Sequence, residues 1–238
     1  MTFESLGLSP AMLETLAKKG FEEPTPIQAL AIPKLLVPGG ALAARARTGT
    51  GKTAAFGIPL VENLSRAAKN HTTGTAGSDT VAPGNVHKKV SALILVPTRE
   101  LAIQVTEEIS TLKYADVPTL TCVYGGASIT KQFRALKDGV DIVVGTPGRV
   151  LDHMERGTLD ISSIDYLVLD EADEMLDMGF IDDITKVMNA MSANARIMLF
   201  SATLSAPVLS IVKRRTGSIE ILEDANEILP TDLAEQVW

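Results

Sequence analysis

The segment ARTGTGKT, residues 46–53, places two glycines, a lysine and hydroxyl side chains in a pattern suited to holding a polyphosphate. Gly49 and Gly51 let consecutive backbone N–H groups turn inward around an anion. A helix starting at the end of the loop adds the positive end of its dipole. Lys52 reaches toward terminal phosphates, and Thr53 offers a hydroxyl to Mg2+. The candidate cradle is therefore Arg47, Thr48, Gly49, Thr50, Gly51, Lys52 and Thr53. The segment departs from G-x-x-x-x-G-K-[ST] only at Ala46, which stands in place of the first glycine, and the later glycines keep the physics intact.

A second stretch, YLVLDEADEMLDMGF at 166–180, runs apolar residues into Asp170, Glu171, Asp173, Glu174 and Asp177, with Asp165 just ahead. Carboxylates this close repel one another, and burying one uncompensated is costly or shifts its pKa. Asp170 ends the apolar run, where a cation is needed. A phosphate loop requires a carboxylate at the end of a neighbouring strand to hold magnesium, so Thr53 and Asp170 are the candidate metal residues, partly through water. Glu171 can orient or deprotonate an attacking water. Both acids also suit a helix N-terminus, where they would only cap the next helix; the phosphate loop favours the magnesium reading. Glu174 and Asp177 read as the solvated face of that helix, with Met175, Leu176 and Phe180 on its apolar face.

These residues need a scaffold that brings strand ends together. Apolar runs recur at 41–46, 91–98, 119–126, 141–147, 166–173, 196–203 and 218–223. Most are nearly continuous rather than alternating, as in strands covered on both faces. Helical patterns lie between them, at 98–112 and 178–191 for example. The alternation predicts an α/β domain of three layers with a mostly parallel central sheet. In such sheets ligands bind beyond the carboxyl ends of the strands, which is where the polar residues closing these runs would stand. Residues 67–89, rich in Gly, Thr, Ala and Asn, read as a flexible surface insertion. A metal role for His71 and His87 within it has no support from nearby cysteines.

The 238 residues carry 45% hydrophobic and 21% charged side chains, an ordinary globular balance. A net charge of −7 argues against a whole-surface attraction to nucleic acid, so any such binding needs a local patch. Cys122 is the single cysteine, which excludes an intrachain disulfide and a cysteine zinc site. The first residues, MTFESLGLSP, lack the pattern of a signal peptide, and no apolar run is long enough for a membrane span. The expectation is a cytoplasmic protein, monomeric and without membrane contact.

Taken with these motifs, the chain resembles the DEAD-box ATP-dependent RNA helicases, specifically their N-terminal RecA-like domain. DEAD stands at Asp170, Glu171, Ala172 and Asp173, and alanine at position 46 is usual in that family's phosphate loop. GFEEPTPIQ (20–28) resembles the Q motif, PTRELA (97–102) motif Ia, Gly125–Gly126 the glycine doublet, TPGR (146–149) motif Ib, and SAT (201–203) motif III. The resemblance implies a RecA-like P-loop NTPase fold over 1–216, with the Q motif region at 3–28, and with 217–238 forming a last strand and the start of a linker. It implies ATP and Mg2+ as ligands. Gln28 would read the adenine edge, Phe21 would stack on the base, Thr25 would hold the motif, and Phe3 would brace it. Taken alone, PTPIQ is equally a proline-stiffened helix start capped by Thr25.

For RNA the resemblance implies Pro97, Thr98, Arg99, Gly125, Gly126, Thr146, Pro147, Gly148 and Arg149, gripping the backbone with little base readout. From spacing alone, Arg99 and Arg149 could equally be solvated. Ser201 and Thr203 would hydrogen-bond Asp173 and couple hydrolysis to strand separation; a polar strand end satisfying its own backbone is as good a reading from spacing. Nothing after Ser205 resembles the family's second RecA-like domain, which would complete the ATP site with arginines. The expectation is therefore weak nucleotide binding and little hydrolysis by this chain alone. An RNA-independent P-loop switch and a non-catalytic scaffold are the other two classes considered.

Overall fold

The computed structural model describes residues 1–47, 49–73 and 90–223. After a single 3-10 turn at Phe3–Leu6, the elements run α1 (Pro10–Lys18), α2 (Pro26–Leu36), β1 (Ala41–Arg45), α3 (Lys52–Thr73), β2 (Ala92–Leu95) and α4 (Arg99–Leu112). Next come β3 (Leu120–Val123), α5 (Ile129–Lys137), β4 (Ile142–Gly145), α6 (Pro147–Glu155), β5 (Tyr166–Asp170) and α7 (Ala172–Asp177). The chain continues through α8 (Ile181–Ala190), β6 (Arg196–Ser201), α9 (Ala206–Thr216) and β7 (Ile219–Glu223).

The seven strands form one sheet in the order β3-β4-β2-β5-β6-β1-β7, and every pairing in it is parallel. Each of the seven apolar runs in the sequence contains one strand. The strand residues are apolar on both faces because each face meets its own core. Leu42 and Ala44, Ala92 and Ile94, Val168, and Met198 and Phe200 point into a core shared with α1 to α4. Their alternates Ala41 and Ala43, Leu93 and Leu95, Leu167 and Leu169, and Ile197 and Leu199 point into a second core with α6 to α9. Period-two alternation between two buried faces produces the three layers.

Three sequence expectations are corrected. The segment 67–89 is not an irregular insertion from its start, because α3 continues as helix to Thr73; residues 74–89 lie outside those described. The helix expected over 178–191 begins only at Ile181, and the helix before it ends at Asp177 without reaching Phe180: Gly179 adopts φ 81°, Phe180 N–H donates to Met175 O, and α8 starts afresh. Glycine takes that left-handed conformation without a Cβ penalty. Third, the strand carrying Asp170 is not next to the strand feeding the phosphate loop, since β6 lies between β5 and β1. The register nevertheless aligns the ends, pairing Asp170 with Phe200 and Arg45 with Ser201. The expected linker from 224 onward is outside the described residues, among which no helix is long and apolar enough to cross a membrane.

Candidate nucleotide and nucleic-acid site

Because all strands run parallel, their carboxyl ends share one edge of the sheet. That edge divides in two. The ends of β1, β5 and β6 carry the phosphate loop, the acids and Ser201–Thr203; the ends of β2, β3 and β4 carry Pro97–Arg99, Gly125–Gly126 and Thr146–Arg149.

On the first half, Ala46 N–H donates to Ser201 O at 2.9 Å, fastening the start of the loop to β6. Gly49 and Gly51 both have φ near +80°, at 83° and 84°. Thr50 N–H and Oγ1 both donate to Arg47 O, and Arg47 itself is exposed; Thr48 is outside the described residues. Lys52 opens α3 and is only 6% exposed, yet its Nζ has no hydrogen-bond partner. A buried ammonium without an acceptor is costly, and an entering anion would remove that cost. Asp170 is 2% exposed, and its carboxyl is pushed up to about 7. Burial is the chief cause, the Lys52 charge opposes it, and Glu171 adds to it. A buried carboxyl at the mouth of a phosphate loop fits a residue that would help to hold a magnesium ion carried in with a phosphate ligand. The Thr53 hydroxyl is within reach of Glu108 on α4, whose carboxyl is also raised, chiefly by burial.

Glu171 is the one non-glycine among the described residues at positive φ, 51° with ψ 53°. Its N–H donates to Asp170 Oδ1 at 3.1 Å. Held in this left-handed conformation, Glu171 begins α7 and so ends the buried strand within one residue. Asp173 stands in the first turn of α7. Its N–H donates to Ser201 Oγ at 3.1 Å, and its Oδ2 accepts from Thr203 N at 2.9 Å and Thr203 Oγ1 at 3.0 Å. Burial raises its carboxyl, but the bonds from Ser201, Thr203 and Glu174 outweigh that and hold it below its ordinary value. Glu174 and Asp177 are exposed and Met175 is buried, as the helix reading expects.

The segment before α2 closes on the loop from the side. Thr25 caps α2, Pro26 stands at its first position, and Gln28 is 2% exposed. Gln28 Oε1 accepts from Thr25 N at 3.0 Å, while Gln28 Nε2 donates to Gly51 O at 3.1 Å. Phe21 meets buried Phe3 edge-on, with centroids 6.1 Å apart at 68°. A shallow, open depression of about 470 Å³ lies along Lys19, Gly20, Phe21, Glu22, Thr25 and Gln28. Another cavity, about 740 Å³, sits at the opposite sheet edge around Asp165, Asn194 and Arg196 and shares none of these residues.

On the second half, Thr98 caps α4 by accepting from Leu101 N, and Thr146 precedes Pro147 at the start of α6. Pro97 and Pro147 are buried, whereas Arg99, Gly125, Gly126 and Gly148 are exposed. Gly126 has φ 81°, and a Cβ there would stand 3.6 Å from Arg99 Nη1. Arg99 lies over the Tyr124 ring at 5.4 Å, and Arg149 Nη1 donates to Ala127 O at 3.3 Å. The two arginines thus flank the glycine doublet from either side. Two helix N-termini and two guanidinium groups on one edge can bind successive phosphates even on an acidic protein. Sequence reasoning passed over Tyr124 and Gln132. The signal for Gln132 was a polar residue at the buried phase of α5.

Comparison with known proteins gives the family and the fold. The DEAD/DEAH box helicase family model matches residues 25–211. A probable ATP-dependent RNA helicase of Methanocaldococcus jannaschii is 44% identical over 94% of this chain and 55% of its own length. The ATP-dependent RNA helicase CshA of Listeria monocytogenes is 43% identical over 99% of this chain and 42% of its own. The crystal structure of a DEAD box protein from Methanococcus jannaschii superposes with a TM-score of 0.81 at 44% identity, covering 94% of this chain and 56% of that one. The crystal structure of a hypothetical ATP-dependent RNA helicase from Sulfolobus tokodaii gives 0.75 at 33% identity, with 91% and 57% covered. The chain spans about half the length of the relatives it matches. Its sheet is that of a DEAD-box RecA-like domain, and the chain belongs to the DEAD/DEAH box helicase family.

Proposed function

We propose that this chain is the ATP-binding and RNA-backbone-binding part of an ATP-dependent RNA helicase, acting with a second RecA-like domain that supplies arginines to the same nucleotide. The observation that carries the reading is the buried, unpartnered Lys52 Nζ beside Asp170 at the mouth of the phosphate loop. The loop amides from Arg47 to Thr53, with Lys52, bind the phosphates. Gln28 and Phe21 bind the base, with Phe3 and Thr25 supporting them. Thr53 and Asp170 would hold a magnesium ion arriving with the nucleotide. When bound, that ion supplies positive charge against the phosphate oxygens. Glu171 orients the attacking water and accepts its proton at the carboxylate, giving ADP and phosphate.

Thr98, Arg99, Gly125, Gly126, Thr146, Pro147, Gly148 and Arg149 hold the sugar–phosphate backbone, so recognition depends little on base sequence. Asp173, Ser201 and Thr203 couple hydrolysis to strand separation, their hydrogen bonds tying the first turn of α7, next to Glu171, to the end of β6 within the nucleotide half of the edge. Transition-state arginines are worth about 10³–10⁵ in rate. The isolated chain is therefore nearly inactive in hydrolysis, and the same proposal takes it as weakly nucleotide-binding, monomeric and cytoplasmic.

The test compares this chain with a longer protein containing the second domain. Expected are measurable Mg-dependent binding of ATP and ADP by the chain in preference to GTP, negligible turnover, and RNA-stimulated hydrolysis only in the longer protein. RNA-stimulated turnover by the chain alone refutes the two-domain reading. ATP binding with no RNA affinity in the longer protein points to an RNA-independent switch instead.

A further inference from the structure

Helix α5 lies on the surface, and its one fully buried residue is a glutamine, Gln132, 6% exposed. Its amide meets three groups on two segments. Nε2 donates to Tyr124 O at 3.0 Å, just ahead of the glycine doublet. Oε1 lies 3.1 Å from Arg149 Nη1 and 3.1 Å from His153 Nε2, both on α6. The partners settle the amide orientation, since a guanidinium only donates and a carbonyl only accepts. His153 Nε2 must then carry a proton. The opposite ring nitrogen, Nδ1, is 2.8 Å from Thr158 Oγ1, and the Thr158 hydroxyl also lies 2.9 Å from His153 O. Neutral His153 accepts the Thr158 proton at Nδ1; a charged one would donate there while the hydroxyl turns to His153 O. The Nε2–H bond to Gln132 exists in either state.

We propose that Gln132 is a positioning residue that locks Arg149 and the glycine-doublet loop into a single grip on the RNA backbone, with His153 holding Gln132 in turn. The inference rests on the RNA-backbone reading of this edge. Arg149 Nη1 spans both parts of this grip, because it also donates to Ala127 O. An amide suits the task better than a carboxylate. It fixes the guanidinium without neutralising it and keeps a donor for Tyr124 O. Asp152 already stands 3.7 Å from Arg149 Nε but is shared with Arg156 at 2.5 Å, so a second acid at position 132 would cancel the charge that a phosphate needs. A fixed guanidinium also loses less rotamer entropy on binding.

The experiment measures affinity of the chain for a fluorescent single-stranded RNA across a salt series. Wild type is compared with Gln132→Ala, Gln132→Glu, His153→Phe, Arg149→Ala and the Gln132→Ala/Arg149→Ala pair, with a thermal melt for each. Losing one phosphate contact lowers the salt slope by about 0.7 for a single strand, which general destabilisation does not do. Gln132→Ala should bind roughly tenfold more weakly with that smaller slope. Gln132→Glu should weaken binding while still folding. His153→Phe leaves Gln132 in place should the position-132 variants fail to fold, and it should cost about threefold. In the Arg149→Ala background, Gln132→Ala should add less than about twofold, since the two act as one unit. Positioning by Gln132 is refuted if Arg149→Ala weakens binding while Gln132→Ala and His153→Phe leave affinity and slope unchanged, or if the double variant is additive. Absence of RNA binding by wild type, or its indifference to Arg149→Ala, overturns the RNA reading itself.

Discussion

Gln28 Nε2 donates to the carbonyl of Gly51, 3.1 Å away, so a side chain 23 residues upstream is bonded to the backbone of the phosphate loop. The same amide accepts from Thr25 N, which leaves one donor and one acceptor lone pair for a base. A Cβ on Gly51 would overlap Gln28 Nε2, so the glycine answers to close approach as well as to its φ of 84°. On the proposed reading, Gln28 is thus a link that couples base recognition to loop shape.

Gln28→Glu should therefore lose both functions together. A carboxylate cannot donate to Gly51 O, and its charge would face a carbonyl in a buried site. The expected outcome is at least a roughly tenfold loss of ATP affinity, with the preference over GTP gone. A stability loss of about 1–3 kcal/mol should accompany it. Titration with a fluorescent nucleotide and chemical unfolding measure the two; retained ATP preference would contradict the link.

Lys52→Met separates function from stability. The wild-type ammonium is 6% exposed with no acceptor, a state tolerated for the sake of an anion. Replacing it with an apolar side chain of similar length should stabilise the nucleotide-free chain by about 1 kcal/mol while removing nucleotide binding. Calorimetry with and without ATP–Mg checks both: the wild type should gain melting temperature on ligand addition and the variant should not. A destabilised variant would mean that Lys52 is held by protein contacts rather than awaiting a ligand.

Much of this arrangement was legible in the sequence for identifiable reasons. The strands are buried on both faces, so they appear as continuous apolar runs, and the phosphate loop and DEAD acids announce themselves by composition. Strand order was not legible. Nothing in the spacing between Asp170 and Ser201 says that β6 inserts between β5 and β1, because a parallel crossover is free to skip a neighbour. The Gln132 network was missed for a related reason. Gln132 on α5, Tyr124 after β3 and the α6 pair Arg149 and His153 come from separate segments that meet only in the fold. The break at Gly179 was readable in principle, as glycine within a helical pattern marks a stop.

The raised Asp170 carboxyl makes a pH prediction with a definite sign. Its ordinary value is 3.8, and in the fold burial lifts it to about 7. Between these values the unfolded chain has released a proton that the folded chain keeps. This contribution to stability is fully present below about pH 4 and is lost as pH rises through about 7, by up to ~1.4 kcal/mol per unit. Urea midpoints of wild type and Asp170→Asn between pH 5 and 8 isolate it: wild type should fall relative to the variant as pH rises. Magnesium binding draws on the ionised form, so Mg-dependent nucleotide affinity should rise over pH 6 to 8 in wild type alone. A pH-independent difference between the two proteins would show that Asp170 is already ionised in the fold.

Glu171 stores strain where the chemistry is proposed. At φ 51° and ψ 53° it occupies the left-handed region, which costs a side-chain-bearing residue about 1–3 kcal/mol. Glutamine has much the same penalty there as glutamate, so the strain belongs to the position and not to the carboxylate. The turn needs it, because one residue must end β5 at the buried Asp170 and start α7 with Asp173 against Ser201. Glu171→Gly should relieve the strain, partly offset by the freer unfolded chain, for a net gain of about 0.5–1 kcal/mol. Glu171→Gln should keep the strain and leave stability unchanged. In the longer two-domain protein both variants should lose hydrolysis while still binding ATP–Mg, since neither offers a carboxylate to the water. Unfolding curves for the chain and single-turnover assays for the longer protein separate the effects. Equal stability of the two variants would remove the strain argument, and hydrolysis surviving in Glu171→Gln would remove the proposed role of the carboxylate.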